Sequence, residues 1–374
     1  VKKNKAFTLI ELLVVIAIIA LLIGILLPAI GKARDTAKNV LSQSRMRQLA
    51  LGANSYAADN NDLLFSYGNR PRVNSRVEVD LSCAQDGSVM QVVRDDVDFA
   101  GAQQTAILRR VTGRCEGSPN EIEYNNDRLW HRRWSHVILL DYLTTTQPEP
   151  IAASPFDKNQ LDWQADQLEF RQGSTVPYAN GTPNGVDADG RWNNDGVRQR
   201  WAFASSYQTV PAHWNSDGIN TPTYHPVADT PHLFRSNGGQ GVNFVRLGGR
   251  KFSQVAFPAG KVFQFEEFDR LGNRQGLAWM YPQAQCNLSF YDGSVRRLAS
   301  SEANPGWNPD QPDQAWLQTY LPLDTFPGTV GDPNARYCQR YRWTRHGLRG
   351  VDYGGKEVGL PQNLRPQESI ECVD

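Results

Sequence analysis

Residues 7–30, FTLIELLVVIAIIALLIGILLPAI, constrain this chain more than any other segment. Among these 24 residues the strongly polar ones are Thr8 and Glu11. As an α-helix the run would be about 36 Å long, enough to cross the hydrocarbon core of a bilayer. Lys2, Lys3 and Lys5 precede it with no acid among them, which favours a cytoplasmic amino end. Lys32, Arg34 and Lys38 follow it, so charge alone leaves the orientation open. Glu11 does not fit a plain span. A carboxylate in an apolar run costs about 2.5–3.5 kcal/mol at the helix centre, less near the interface, so it calls for a partner.

Three readings compete for this segment. A secretory signal has roughly 7–15 apolar residues and a small-residue cleavage site after them; this run is longer, and a helical pattern continues beyond it. A single-pass anchor fits the length and leaves Glu11 unexplained. The third rests on KNKA-FTLIELL at residues 3–13, which resembles the amino-terminal signal of type IV prepilins and type II secretion pseudopilins. The resemblance implies that a prepilin peptidase cuts between Ala6 and Phe7 on the cytoplasmic side and methylates the new amino group. It also implies that Glu11 pairs with the amino group of a neighbouring subunit, where a buried carboxylate meets a cation in the same low-dielectric slab. Ala6 stands where that family usually has Gly.

The helical pattern runs on past Gly24 and Pro28, a proline that can kink it. Ala29, Ile30, Ala33, Ala37, Val40, Leu41, Leu49, Ala53 and Tyr56 recur near helical spacing, with Lys32, Arg34, Asp35, Lys38, Arg45 and Arg47 between them. The breaker cluster Asp59-Asn60-Asn61-Asp62 should end it. The expected element is one helix over residues 8–58, about 77 Å long. The chain then divides into a leader at 1–6, a transmembrane or filament-core half at 7–30, an amphipathic half at 31–59, a body at 60–300 and a carboxy-terminal extension at 301–374.

In the body, 10 Trp, 13 Tyr and 15 Phe favour an ordered, β-rich fold. Residues 76–81 and 89–93 read as strands. Residues 130–142 read as a short helix with Trp130, Trp134, Val137, Ile138 and Tyr142 near one face. Residues 172–200 are loop-like, and 252–265 read as two strands around Pro258-Ala259-Gly260. Residues 287–298, NLSFYDGSVRRL, read as a hairpin with a two-residue Asp292-Gly293 turn and with Leu288, Phe290, Val295 and Leu298 lining one side.

This order resembles a subgroup of large pilin-like proteins abundant in planctomycetes. Its marks are a helix with W and LL (here 134–140), a Ser/Cys-Pro turn (Ser154-Pro155) and a strand motif N-x-x-F-x-D-G (Asn287, Phe290, Asp292, Gly293). A His often lies ten residues before the Asp, and here that position is Pro282. The resemblance implies an α+β body with the long helix packed on an antiparallel sheet, carrying loop-rich insertions.

Lys plus Arg (39) equals Asp plus Glu (39), which excludes the basic excess of a DNA-coating protein. Arg336, Arg340, Arg342, Arg345 and Arg349 alternate with Tyr337, Tyr341 and Trp343, a pattern that can serve single strands but reads first as a strand face with aromatic packing. Nucleic acid is therefore not an expected partner. Residues 184–196 offer Asp187, Asp189, Asn193 and Asp195 at calcium-loop positions 1, 3, 7 and 9, with Arg191 and Arg198 at positions 5 and 12. An EF-hand is ruled out, while an irregular calcium loop and a polar surface loop both stay open. His213, His225 and His232 lie 12 and 7 apart, which matches no standard metal site. The five cysteines, Cys83, Cys115, Cys286, Cys338 and Cys372, allow at most two bridges within the chain; Cys338 with Cys372 would close the tail.

No phosphate loop, HExxH or GxSxG is present. The expectation is a structural role without catalysis or an obligatory cofactor. The chain would be a subunit of a type IV pilus-like filament or a secretion pseudopilus, with prepilin peptidase and other pilins as partners. It would start in the bacterial inner membrane with its body outside the cytoplasm. The alternative is an anchored extracytoplasmic binding protein that is never assembled.

Overall fold

The computed structural model describes residues 8–68, 77–93, 96–118, 120–124, 133–143, 146–167, 200–214, 224–227, 230–236, 247–272, 278–279, 281–304, 306, 340–344 and 347–355. It is an α+β fold built on one long helix, α1, Leu9–Asp59. Thr8 caps its start, and the Asn60 side-chain amide donates to the Tyr56 carbonyl at 2.8 Å at its end. Asn61 and Asp62 then adopt positive φ (54° and 69°), so the breaker cluster stops the helix as the sequence implies.

The helix has two regimes. From Leu9 to Thr36 every residue is exposed. Burial begins at Ser42 and follows the helical repeat through Met46, Leu49, Ala50, Ala53 and Ala57. Val40 and Leu41 belong to the expected inward stripe, yet they stay 59% and 46% exposed. The packing stripe is phased instead by small residues that let the body approach. At Gly52 an added Cβ would sit 2.9 Å from Leu143 Cδ2.

The described strands are β1 (Val77–Asp80), β2 (Met90–Val93), β3 (Tyr207–Thr209), β4 (Tyr224–Val227), β5 (Thr230–Ser236), β6 (Val262–Glu266), β7 (Gln285–Phe290) and β8 (Val295–Ala299). The central sheet has the order β3-β6-β7-β8, all neighbours antiparallel. Two-residue alternation splits it into two faces. One carries Tyr207, Glu266, Asn287 and Val295 and meets α1, where Tyr207 and Val295 pack with Met46 and Leu49. The other carries Phe265, Cys286, Leu288 and Phe290 into the main core. Residues 340–344 and 347–355 cover that second face. Tyr341 packs edge-on to Phe265, and Tyr353 packs edge-on to Phe290. Asp352 fixes this segment to β6: it accepts from the Val262 amide at 2.8 Å, from Thr344 Oγ1 at 2.6 Å and from Lys261 Nζ at 3.1 Å.

A smaller layer lies beside the sheet. The β1–β2 ribbon packs on helix α2 (Asp96–Thr112) through Leu81, Val93, Phe99, Ala102 and Ala106, and a Cys83–Cys115 disulfide closes it. The other face of α2 meets Trp134, Val137 and Leu140. Helix α3, Lys158–Ala165, adds Trp163 to that cluster. The β4–β5 hairpin stands as a separate antiparallel pair.

Three local expectations change. Residues 135–142 form a 3-10 helix, Ser135–Tyr142, that has no side-chain cap and contains the β-branched pair Val137-Ile138; Trp130 lies outside the described residues. Phe252–Gln254 is a 3-10 turn and not a strand, because the Asp62 loop takes its amides: Phe252 N–H to the Asp62 carbonyl at 3.0 Å and Ser253 N–H to its carboxylate at 3.0 Å. The β7–β8 connection is a three-residue loop. Phe290 and Ser294 close it, and Gly293 takes positive φ (81°) while Asp292 does not. This register turns Val295 away from Leu288 and Phe290, onto the face of α1.

Candidate functional site

The exposed half of α1 is the first candidate. Its large apolar side chains are bare all round, from 44% exposed at Val15 to 85% at Leu9. It is long and apolar enough to cross a membrane. At its start Thr8 and Glu11 form a capping box. Glu11 Oε2 accepts from Thr8 N–H and from Thr8 Oγ1, both at 2.8 Å, and Glu11 N–H donates to Thr8 Oγ1 at 3.3 Å. The carboxylate thus closes on its own helix in the single chain, and its contacts there are neutral ones that a stronger cationic partner can displace. Pro28 lies inside the helix and lacks the N–H that the Gly24 carbonyl would accept. The pair marks a soft point within the bare half, although α1 runs through it. Ala6 and Phe7 lie outside the described residues.

Where α1 reaches the sheet, the joint is polar. Ser42 Oγ donates to Glu266 Oε1 at 2.6 Å and lies 3.0 Å from the Tyr207 hydroxyl. With its own proton committed to the carboxylate, Ser42 accepts from Tyr207. Burial, and then the adjacent Glu266 carboxylate, push the Tyr207 phenol up, so it stays a neutral donor. Ser154 Oγ adds a bond to Glu266 Oε1 at 3.1 Å, and Asn287 donates to Oε2 from its backbone (3.3 Å) and its side chain (3.1 Å). Asn287 also meets Gln43 (3.1 Å) and Asn39 (2.9 Å) on the helix. Among the described residues, this buried carboxylate is held by hydroxyl and amide donors.

These contacts explain the residues singled out in the sequence. Asn287 hooks the sheet to α1. Phe290 fills the core against Tyr353, Asp292 accepts from the Ser294 amide at 2.9 Å within the turn, and Gly293 supplies the positive φ. Ser154 of the Ser-Pro turn reaches the same carboxylate as Asn287. Glu266 and Tyr207, which complete the joint, carried no sequence signal: each reads as one more residue of a short strand.

Residues 1–27 match the family model described as the prokaryotic N-terminal methylation motif. The chain carries a type IV prepilin-type signal. The signal covers the lysine-rich start, the junction at Ala6 and Phe7, Glu11 and most of the bare half-helix. No curated protein and no solved structure matches the chain.

Other sequence candidates separate. His213 is a core histidine: Nδ1 meets the Tyr291 hydroxyl at 2.9 Å and Nε2 the Phe65 carbonyl at 3.0 Å, so both nitrogens are engaged. Among the described residues, no group of three or more metal-capable side chains forms. Asp187, Asp189, Asn193 and Asp195 lie outside the described residues, as do Cys338 and Cys372. Cys286 is a free, buried thiol beside the Tyr341 hydroxyl, and burial pushes its pKa up. In the arginine-aromatic stretch Arg340, Tyr341 and Arg342 are buried, with the Arg342 guanidinium 4.5 Å from the centroid of the Trp279 ring.

Proposed function

We propose that the chain is a structural subunit of a type IV pilus-like filament or a type II secretion pseudopilus. Prepilin peptidase cuts the precursor between Ala6 and Phe7 and methylates Phe7. Before assembly the bare half of α1 lies in the bacterial inner membrane with the body outside the cytoplasm. After assembly the same half is buried among other copies or other pilins, and Glu11 leaves Thr8 for a neighbour's amino group. One observation supports this most strongly: an apolar half-helix bare on every side, with a carboxylate in its first turn, on a chain with a methylation signal. A plain anchor needs the first and has no use for the carboxylate. The role is structural, without catalysis.

Replacing Glu11 tests the reading. Glu11→Ala removes the countercharge from a low-dielectric slab, where an unpaired ammonium costs several kcal/mol. The sheared or sedimentable filament fraction should fall more than about tenfold while membrane content holds. Unchanged assembly would remove Glu11 from the assembly contact, and no sedimentable fraction from the unsubstituted chain would favour the anchored, unassembled binding protein.

A further inference from the structure

The bare half of α1 ends at Ile30, and the first helix residue to touch the body is Lys38, whose ammonium lies 5.6 Å from the centroid of the Phe156 ring. Seven residues lie between these points, and the rise from one to the other is about 12 Å of helix. The helix is unbroken here, so that distance is fixed. A headgroup layer is about 5–7 Å thick on each side of the core. A lysine or arginine side chain spans what remains. The intervening turns carry Lys32 and Arg34, both exposed, against the single acid Asp35. The body's nearest segment, residues 153–158, is tied to the helix by Arg45, which donates to the Ala153 carbonyl at 2.6 Å. Its acid, Asp157, is buried and paired with Arg270 at 2.9 Å, which leaves Lys158 as its exposed charge, next to the partly exposed Phe156.

We infer that residues 153–158, with Lys32, Arg34 and Lys38, form a footing on the phosphate groups of anionic membrane phospholipids while the chain is unassembled. Phe156 supplies the apolar contact at the interface, and the cations meet the lipid phosphates. The footing sets the depth of the helix and the stance of the body above the bilayer. It rests on the membrane-inserted precursor described above.

Lysine acetylation footprinting of the full chain tests it, in nanodiscs of phosphatidylcholine alone and of an equimolar mixture with phosphatidylglycerol. Lys251 is exposed and lies beyond the far end of α1, next to the bridge with Leu63, and serves as the internal standard. The footing predicts that Lys158 labels more slowly relative to Lys251 in the anionic discs, and that high salt abolishes the difference. Lys32→Gln with Arg34→Gln should weaken the protection roughly fivefold for each cation removed. An equal Lys158 to Lys251 ratio in both discs, with the chain inserted in each, overturns the footing alone. A chain that enters neither disc overturns the footing and the membrane reading together.

Discussion

Glu11 is exposed and Glu266 is buried, and the two carboxylates are answered differently. Glu11 is held by Thr8 and keeps a geometry that a cation can compete for. Glu266 is locked by Ser42, Ser154 and Asn287. Glu266→Ala leaves these donors without their acceptor and should cost about 3 kcal/mol, read from chemical unfolding of the detergent-solubilised chain. Glu266→Gln should cost far less, because Ser42 and Ser154 can turn to accept from the new amide while its oxygen keeps Asn287. His136 gives a pH signature. Burial holds its pKa near 3 against an ordinary 6.5. The unfolded chain takes up that proton first, so the contribution is complete above pH 6.5 and falls as the pH drops toward 3. The loss of stability between pH 7 and pH 5 should shrink by about 2 kcal/mol in His136→Phe, measured by urea unfolding at the two pH values.

At the scale of elements, α1 does two jobs with one continuous backbone, and the change-over is visible in side-chain size. Gly52 sits where Leu143 presses on the helix, so Gly52→Ala must move that side chain. It should destabilise the body by about 1–3 kcal/mol despite the better helix propensity of Ala; a thermal melt of the solubilised chain checks the sign. The length of α1, its end at the Asp-Asn cluster, strands β1 and β2 and the Asn287–Gly293 motif were all legible in the sequence. The buried stripe was legible in its second half, where Leu49 and Ala53 are buried as expected, and not in its first. Ala33, Ala37, Val40 and Leu41 make as good a helical face as the one used, and only the sheet opposite selects Ser42 and Met46. Val295 faces α1 because the loop has three residues and not two, which shifts the pairing by one, while Leu298 lies opposite Cys286 on the core side as expected. The polar joint was illegible for a related reason: Ser42, Ser154, Tyr207, Glu266 and Asn287 are far apart in sequence and meet only through strand order.

On the scale of the whole molecule, the chain joins a body with its own core to a rod of about 45 Å that has no apolar partner among the described residues. More than a dozen bare Leu, Ile and Val side chains are costly to leave in water, and the proposed function gives them a bilayer and then a set of like helices. The body takes its own security from the Cys83–Cys115 bridge and from residues 340–344 and 347–355, which close the sheet on the side away from α1. Under the proposed function the rod is first a membrane span and then a filament core, and the amino terminus would carry the mark of processing. Mass spectrometry of the amino-terminal peptide from the native protein tests it most directly. The expected result is a peptide beginning at Phe7 with one added methyl group. A peptide that still contains Lys2 to Ala6, unmethylated, would contradict it.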